Sequence, residues 1–128
     1  MPIGVTIMIV DDSRIMRNTV KGVFTGVETV INFIEAKDGE EALSLLESQT
    51  VDLVLLDWNM PRLSGIEFLK QIRSMDRYKD LPIIMVTSEA AKFNVIEALK
   101  HGATDYITKP IKLDLFKSKL AKLRLFRM

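Results

Sequence analysis

The chain has 128 residues, 48% hydrophobic and 27% charged, a globular composition that fits one domain and excludes a disordered or fibrous polypeptide. It contains no cysteine, which removes disulfides, thiolate zinc sites and cysteine nucleophiles by inventory. The net charge of +1 is unevenly divided: residues 109–128 hold seven Lys or Arg and one acid, a balance of +6 that leaves −5 for the rest.

In chain order, the first strand is expected at 5–10, where an apolar stretch from Ile7 to Val10 is cut off by Asp11 and Asp12 before it could form a signal-peptide core. No later apolar run approaches the length that spans a bilayer, so a cytoplasmic protein without membrane contact is expected. Apolar residues at three- and four-residue intervals predict a helix over 15–24. A second strand follows at 30–35, then Asp38-Gly39 opens a helix over 40–46. The third strand is placed at 53–57, and Pro61 and Gly65 bracket the turn into a helix over 65–73. A fourth strand at 83–87 leads to a helix over 92–101, closed by Gly102 where a left-handed cap belongs. The last unit pairs a strand at 105–108 with a helix over 113–126, whose Leu113, Phe116, Leu120 and Leu123 form one apolar stripe. Short, mostly continuous apolar runs alternating with helices predict an α/β domain around a parallel sheet. One domain over 1–128 is expected, with no output domain.

In such sheets ligands bind outside the carboxyl ends of the strands. The first strand runs into Asp11-Asp12, the third ends at Asp57, the fourth ends at Thr87, and Lys109 follows the fifth; the second offers nothing comparable. A strand order of 2-1-3-4-5 would make the four contributing strands neighbours. Like-charged carboxylates about 4 Å apart repel by about 4 kcal/mol at an effective dielectric near 20, so the cluster calls for a cation. Oxygen ligands without nearby His or Cys point to Mg²⁺, with Mn²⁺ as the alternative. A carboxylate beside that ion can attack a phosphoryl group, with Thr87 donating a hydrogen bond and Lys109 neutralising charge. Taken singly, Asp12 and Ser13 have an ordinary role as a helix cap, Thr87 as a strand end and Lys109 as a surface lysine. Their convergence is the signal.

Together these residues resemble the receiver domain of two-component response regulators, from about residue 5 to 126. The resemblance implies a flavodoxin-like, doubly wound five-stranded sheet in the order 2-1-3-4-5. It implies that Asp57 is the phosphoacceptor, that Asp12, Asp57 and the backbone carbonyl of Asn59 bind Mg²⁺ directly, and that Asp11 acts through water. Thr87 and Lys109 would hold the phosphoryl group, and Lys109-Pro110 matches a step that is typically cis in the family. Asn59 and Glu89 would tune phosphate lifetime, Tyr106 would turn inward on activation, and Lys92, Lys119 and Lys122 would border a partner surface. The chemotaxis members are nearest in pattern, through Asp57-Trp58-Asn59-Met60-Pro61, Thr87, Glu89, Tyr106 and those lysines. Ser88 and Ala91 depart from that pattern.

The function so implied is a monomeric module that takes phosphate from a histidine kinase and signals to a flagellar motor switch protein or another output protein, with a phosphatase as a further partner. It would catalyse mainly its own phosphorylation and dephosphorylation. A phosphorelay intermediate or a receiver with a non-flagellar target is the alternative. An aspartate-nucleophile phosphatase would require a D-x-D motif where Asp11 and Asp12 are adjacent, and would leave Asp57 unexplained. A flavin site lacks a phosphate-cradling loop, and near-neutral charge without aromatic interleaving argues against nucleic acid.

Overall fold

A computed structural model describes residues 4–88 and 92–127 of the chain. Five parallel strands form one sheet in the order β2-β1-β3-β4-β5, where β1 is Val5–Val10, β2 Ile31–Ala36, β3 Leu53–Leu56, β4 Ile83–Thr87 and β5 Asp105–Thr108. The three inner strands are buried at every position, which is why they read as mostly continuous apolar runs. The edge strand β2 instead exposes Asn32 and Glu35.

Side chains alternate across the sheet and divide the core in two. Met8, Val10, Val54, Leu56, Ile83 and Met85 face α2 (Gly39–Ser48), α3 (Gly65–Arg73) and α4 (Lys92–Lys100), meeting Leu46, Phe68, Ile72 and Ala98. Ile7, Ile9, Leu53, Leu55, Ile84 and Val86 face α1 (Arg14–Gly22) and α5 (Leu113–Lys122), meeting Val20, Phe116 and Leu120. A helix layer therefore covers each face. Among the described residues no helix is long and apolar enough to cross a membrane.

The registers put the carboxyl ends of the strands side by side. Val10 pairs with both Ala36 and Leu56, Leu56 with Met85, and Thr87 with Thr108. Side-chain caps then start the helices close to those ends: Ser13 accepts from Met16 N (3.2 Å), Asp38 from Glu41 N (2.8 Å) and Ser64 from Glu67 N (3.3 Å). The loop after β3 returns so tightly that Gly65 N donates to Trp58 O at 2.9 Å, and a Cβ on Gly65 would lie 1.9 Å from Asp57 O. Gly65→Ala is therefore expected to cost about 3 kcal/mol or more, beyond ordinary overpacking, as measured by urea unfolding.

The last helix is shorter than the predicted 113–126. It stops at Lys122, Arg124 takes φ 57°, and Leu123, Leu125 and Phe126 pack on the core from outside the helix. Leu113, expected on the buried stripe, is 48% exposed at the helix start, so the core contribution comes from Phe116 and Leu120. A short 3-10 helix at Asp76–Tyr78 was not anticipated by apolar spacing.

Candidate functional site

The first residue past β1 is Asp11, whose N–H donates to Ala36 O (3.0 Å) and extends the sheet by one position. Its carboxylate is 4% exposed as a residue, and it accepts from Ser13 N at 2.9 Å and from Lys109 Nζ at 2.9 Å. The first residue past β3 is Asp57, 7% exposed, with its N–H donating to Val10 O (2.9 Å). Its Oδ1 accepts from Trp58 N at 2.8 Å and lies 3.6 Å from Lys109 Nζ. Thr87 closes β4, is fully buried, and hydrogen-bonds the Asp57 carboxylate through its side chain. Lys109 is anchored by its own N–H to Thr87 O (2.9 Å), and the Lys109-Pro110 peptide is cis.

Asp12 completes the cluster from an exposed position: one carboxylate oxygen from each of Asp11, Asp12 and Asp57 lies within 4.8 Å of the others. Burial and, second, the negative charge of Asp11 push the Asp57 carboxyl above the usual carboxylate range. Lys109, the Thr87 hydroxyl and the Trp58 N–H act in the other direction. One ammonium is thus shared among carboxylates that outnumber it. The donor set fits a hard divalent cation, being all oxygen, close together and negative.

The model for the response regulator receiver domain family matches residues 7–121. The chain belongs to this family. It is 43% identical over 117 residues to the chemotaxis protein CheY homolog of Campylobacter jejuni, covering 89% of this chain and 88% of that protein. Its fold superposes on Vibrio cholerae chemotaxis protein CheY4 with a TM-score of 0.82 at 30% identity, over 94% of this chain and 98% of that one. The Mn²⁺-bound form of response regulator Rcp1 is similar with a TM-score of 0.81 at 28% identity, over 97% and 95% of the two chains. The chain is a receiver domain of CheY type.

In this receiver the remaining predicted residues separate into three groups. Asn59 is exposed on the loop two positions after Asp57, whereas Glu89 and the side chain of Lys92 lie outside the described residues. Tyr106 points inward, 5% exposed, in the core cluster on the α3 and α4 side of the sheet. Lys122 is exposed, but Lys119 departs from a solvated rim: its Nζ donates to Asp105 Oδ1 (2.9 Å) and to Tyr106 O (2.6 Å), tying α5 to β5.

Three residues near the receiver site escape the sequence reading. The Arg17 guanidinium donates to the Asp11 carbonyl at 2.7 Å and to Glu35 Oε1 at 3.0 Å, and Lys21 Nζ reaches Glu35 Oε2 at 2.7 Å. The strand without a residue in the pocket therefore reaches it through α1. A signal existed in the sequence: two cations four residues apart on one helix, and one acid within a strand otherwise mostly apolar.

Proposed function

We propose that Asp57 accepts a phosphoryl group and that this modification controls the binding of a partner protein. The observation that supports it is the meeting of Asp11, Asp12, Asp57, Thr87 and Lys109 at the ends of four different segments of chain. A purely structural ion pair needs one acid and one base. This site brings an excess of acid to a buried acceptor.

Asp11, Asp12 and Asp57, with the backbone carbonyl of Asn59, are the residues that would hold Mg²⁺. When bound, the ion would offset the negative charge of the carboxylates and of the incoming phosphoryl oxygens. An ionised Asp57 oxygen forms the new P–O bond as the donor's bond to phosphorus breaks, its electron pair leaving with the histidine nitrogen of a kinase or the carboxylate of acetyl phosphate. Lys109 and the Thr87 hydroxyl favour that ionised form before transfer, and afterwards can pair with phosphoryl oxygens. The Asp57 backbone, fixed through Val10 O, keeps the acceptor from retreating.

The relatives' names, chemotaxis proteins, support a role in chemotaxis signalling, with a histidine kinase as donor and a flagellar motor switch protein as output partner. Exposed Ile96 and Leu99 on α4 and Leu113 and Leu115 on α5, with the basic charge of α5, suit an acidic amphipathic segment. The protein would work in the cytoplasm and catalyse mainly its own modification and its reversal, with Asn59 and Glu89 governing the attacking water. Incubation with acetyl phosphate and Mg²⁺ should add one phosphoryl mass to the intact protein, and a chelator should suppress the addition. An equal gain with the chelator present would defeat the metal-assisted reading.

A further inference from the structure

Asp11 and Asp12 are joined by a peptide whose carbonyl belongs to Asp11 and whose N–H belongs to Asp12. The Asp11 carboxylate is fixed by its own contacts with Ser13 N and Lys109 Nζ. Asp12 is exposed, and the peptide that joins it to Asp11 places the Cα from which its carboxylate reaches the cluster. That peptide is held from one side by Arg17, which donates to the Asp11 carbonyl at 2.7 Å. Arg17 is itself held: its Nε donates to Glu35 Oε1 at 3.0 Å, and its side chain is only 16% exposed.

We propose that Arg17, braced by Glu35, is a positioning residue that orients the Asp11–Asp12 peptide and so sets the affinity of the acidic pocket for a divalent cation. The inference rests on reading the three carboxylates as a cation pocket. A planar guanidinium is suited to the task, because one rigid fork can engage the carbonyl and the carboxylate at once. Lys21 fixes the far oxygen of Glu35 at 2.7 Å, and hydrogen bonds first from Lys21 and then from Arg17 hold the Glu35 carboxyl below its ordinary range, against the opposing effect of burial. The brace is therefore charged at neutral pH. It also gives a role to the acid that stands next to last on the outer strand β2, one position before Ala36.

The charge of Arg17 and its position make opposite predictions, which separates them. If Arg17 acted only as a nearby positive charge, its removal would tighten cation binding. If it positions the peptide, removal loosens binding, and partners that orient metal ligands typically change affinity by about 10- to 100-fold. Titration of the full chain with Mg²⁺, followed by the fluorescence of Trp58 beside Asp57, should show Arg17→Met weakened about tenfold or more. Arg17→Lys keeps the charge without the fork and should also be weaker than wild type. Glu35→Gln, which leaves an acceptor for Arg17 but removes the ion pair, should shift in the same direction by less, and it keeps the test open should Arg17→Met fold poorly. Wild-type or tighter affinity in these variants, with a normal wild-type response, would overturn the positioning role. A wild type that shows no Mg²⁺ binding by fluorescence or calorimetry would instead overturn the cation pocket itself.

Discussion

Asp57→Asn is expected to accept no phosphoryl group from acetyl phosphate and yet to be more stable than the wild type at neutral pH. The side-chain amide keeps the shape and loses both the nucleophilic oxygen and the buried charge. In the fold, burial and Asp11 raise the Asp57 carboxyl above its ordinary value of 3.8. For a raised acid, the stability linked to the group is fully present below the unfolded value and is lost as pH rises through the folded one. At pH 7 the ionised carboxylate is therefore a cost, which the substitution removes. The gain should be about 1–2 kcal/mol, below the ~4 kcal/mol of a bare like-charged pair because Lys109 offsets part of the repulsion. Urea unfolding should show the two proteins converging as pH is lowered toward 3.8. Mg²⁺ at one hundred times its dissociation constant should add about 2.7 kcal/mol to the wild type and less to the variant, closing the gap from the other side. A variant less stable than wild type at pH 7 without Mg²⁺ would mean that the Lys109 pair outweighs the repulsion.

Lys109→Met should have the largest effect among substitutions that leave Asp57 in place. Lys109 Nζ stands 2.9 Å from Asp11 Oδ2 and 3.6 Å from Asp57 Oδ1, so its loss leaves two buried carboxylates facing each other. Removing one partner of a buried charge cluster typically costs about 3–5 kcal/mol. Protonation of Asp57 limits the damage, so the loss should shrink as pH falls. The rate of acceptance from acetyl phosphate should drop by about 10²- to 10³-fold, the usual scale for deleting one group that stabilises developing oxyanion charge. An unchanged acceptance rate at the same Mg²⁺ concentration would remove Lys109 from the transfer step.

How legible this was in the sequence depended on which physical signal each feature leaves behind. Inner strands buried on both faces leave a mostly continuous apolar run, and the bounds expected for the inner strands β1 and β4 coincide with those observed, as do those of the edge strand β5. Strand order leaves no local trace: 2-1-3-4-5 was implied by family resemblance and is now seen in the pairing of β1 with both β2 and β3. The end of α5 differs from the expected 126 because Leu123, Leu125 and Phe126 continue to seek the core after the helix has ended at Lys122. Apolar spacing reports burial there, not conformation.

The acids of the site were visible because they stand at or within two residues of a strand's end, where polar residues contrast with the apolar run before them. Arg17 and Glu35 were not, since their partnership spans 18 residues and two elements whose relative placement only the fold supplies. Lys119 shows the same limit from the other side. Its sequence context is a basic helix flank, but its contacts with Asp105 and Tyr106 join α5 to the strand that carries the inward-facing ring.

Covalent chemistry at position 57 can be read directly by treating protein exposed to acetyl phosphate and Mg²⁺ with borohydride, which reduces an acyl phosphate to an alcohol, and then sequencing its peptides by mass spectrometry. The reduced side chain should occur at Asp57, require Mg²⁺ and vanish in Asp57→Asn. Reduction at another acid, or none despite a gain in phosphoryl mass, would contradict the assignment of Asp57 as the acceptor.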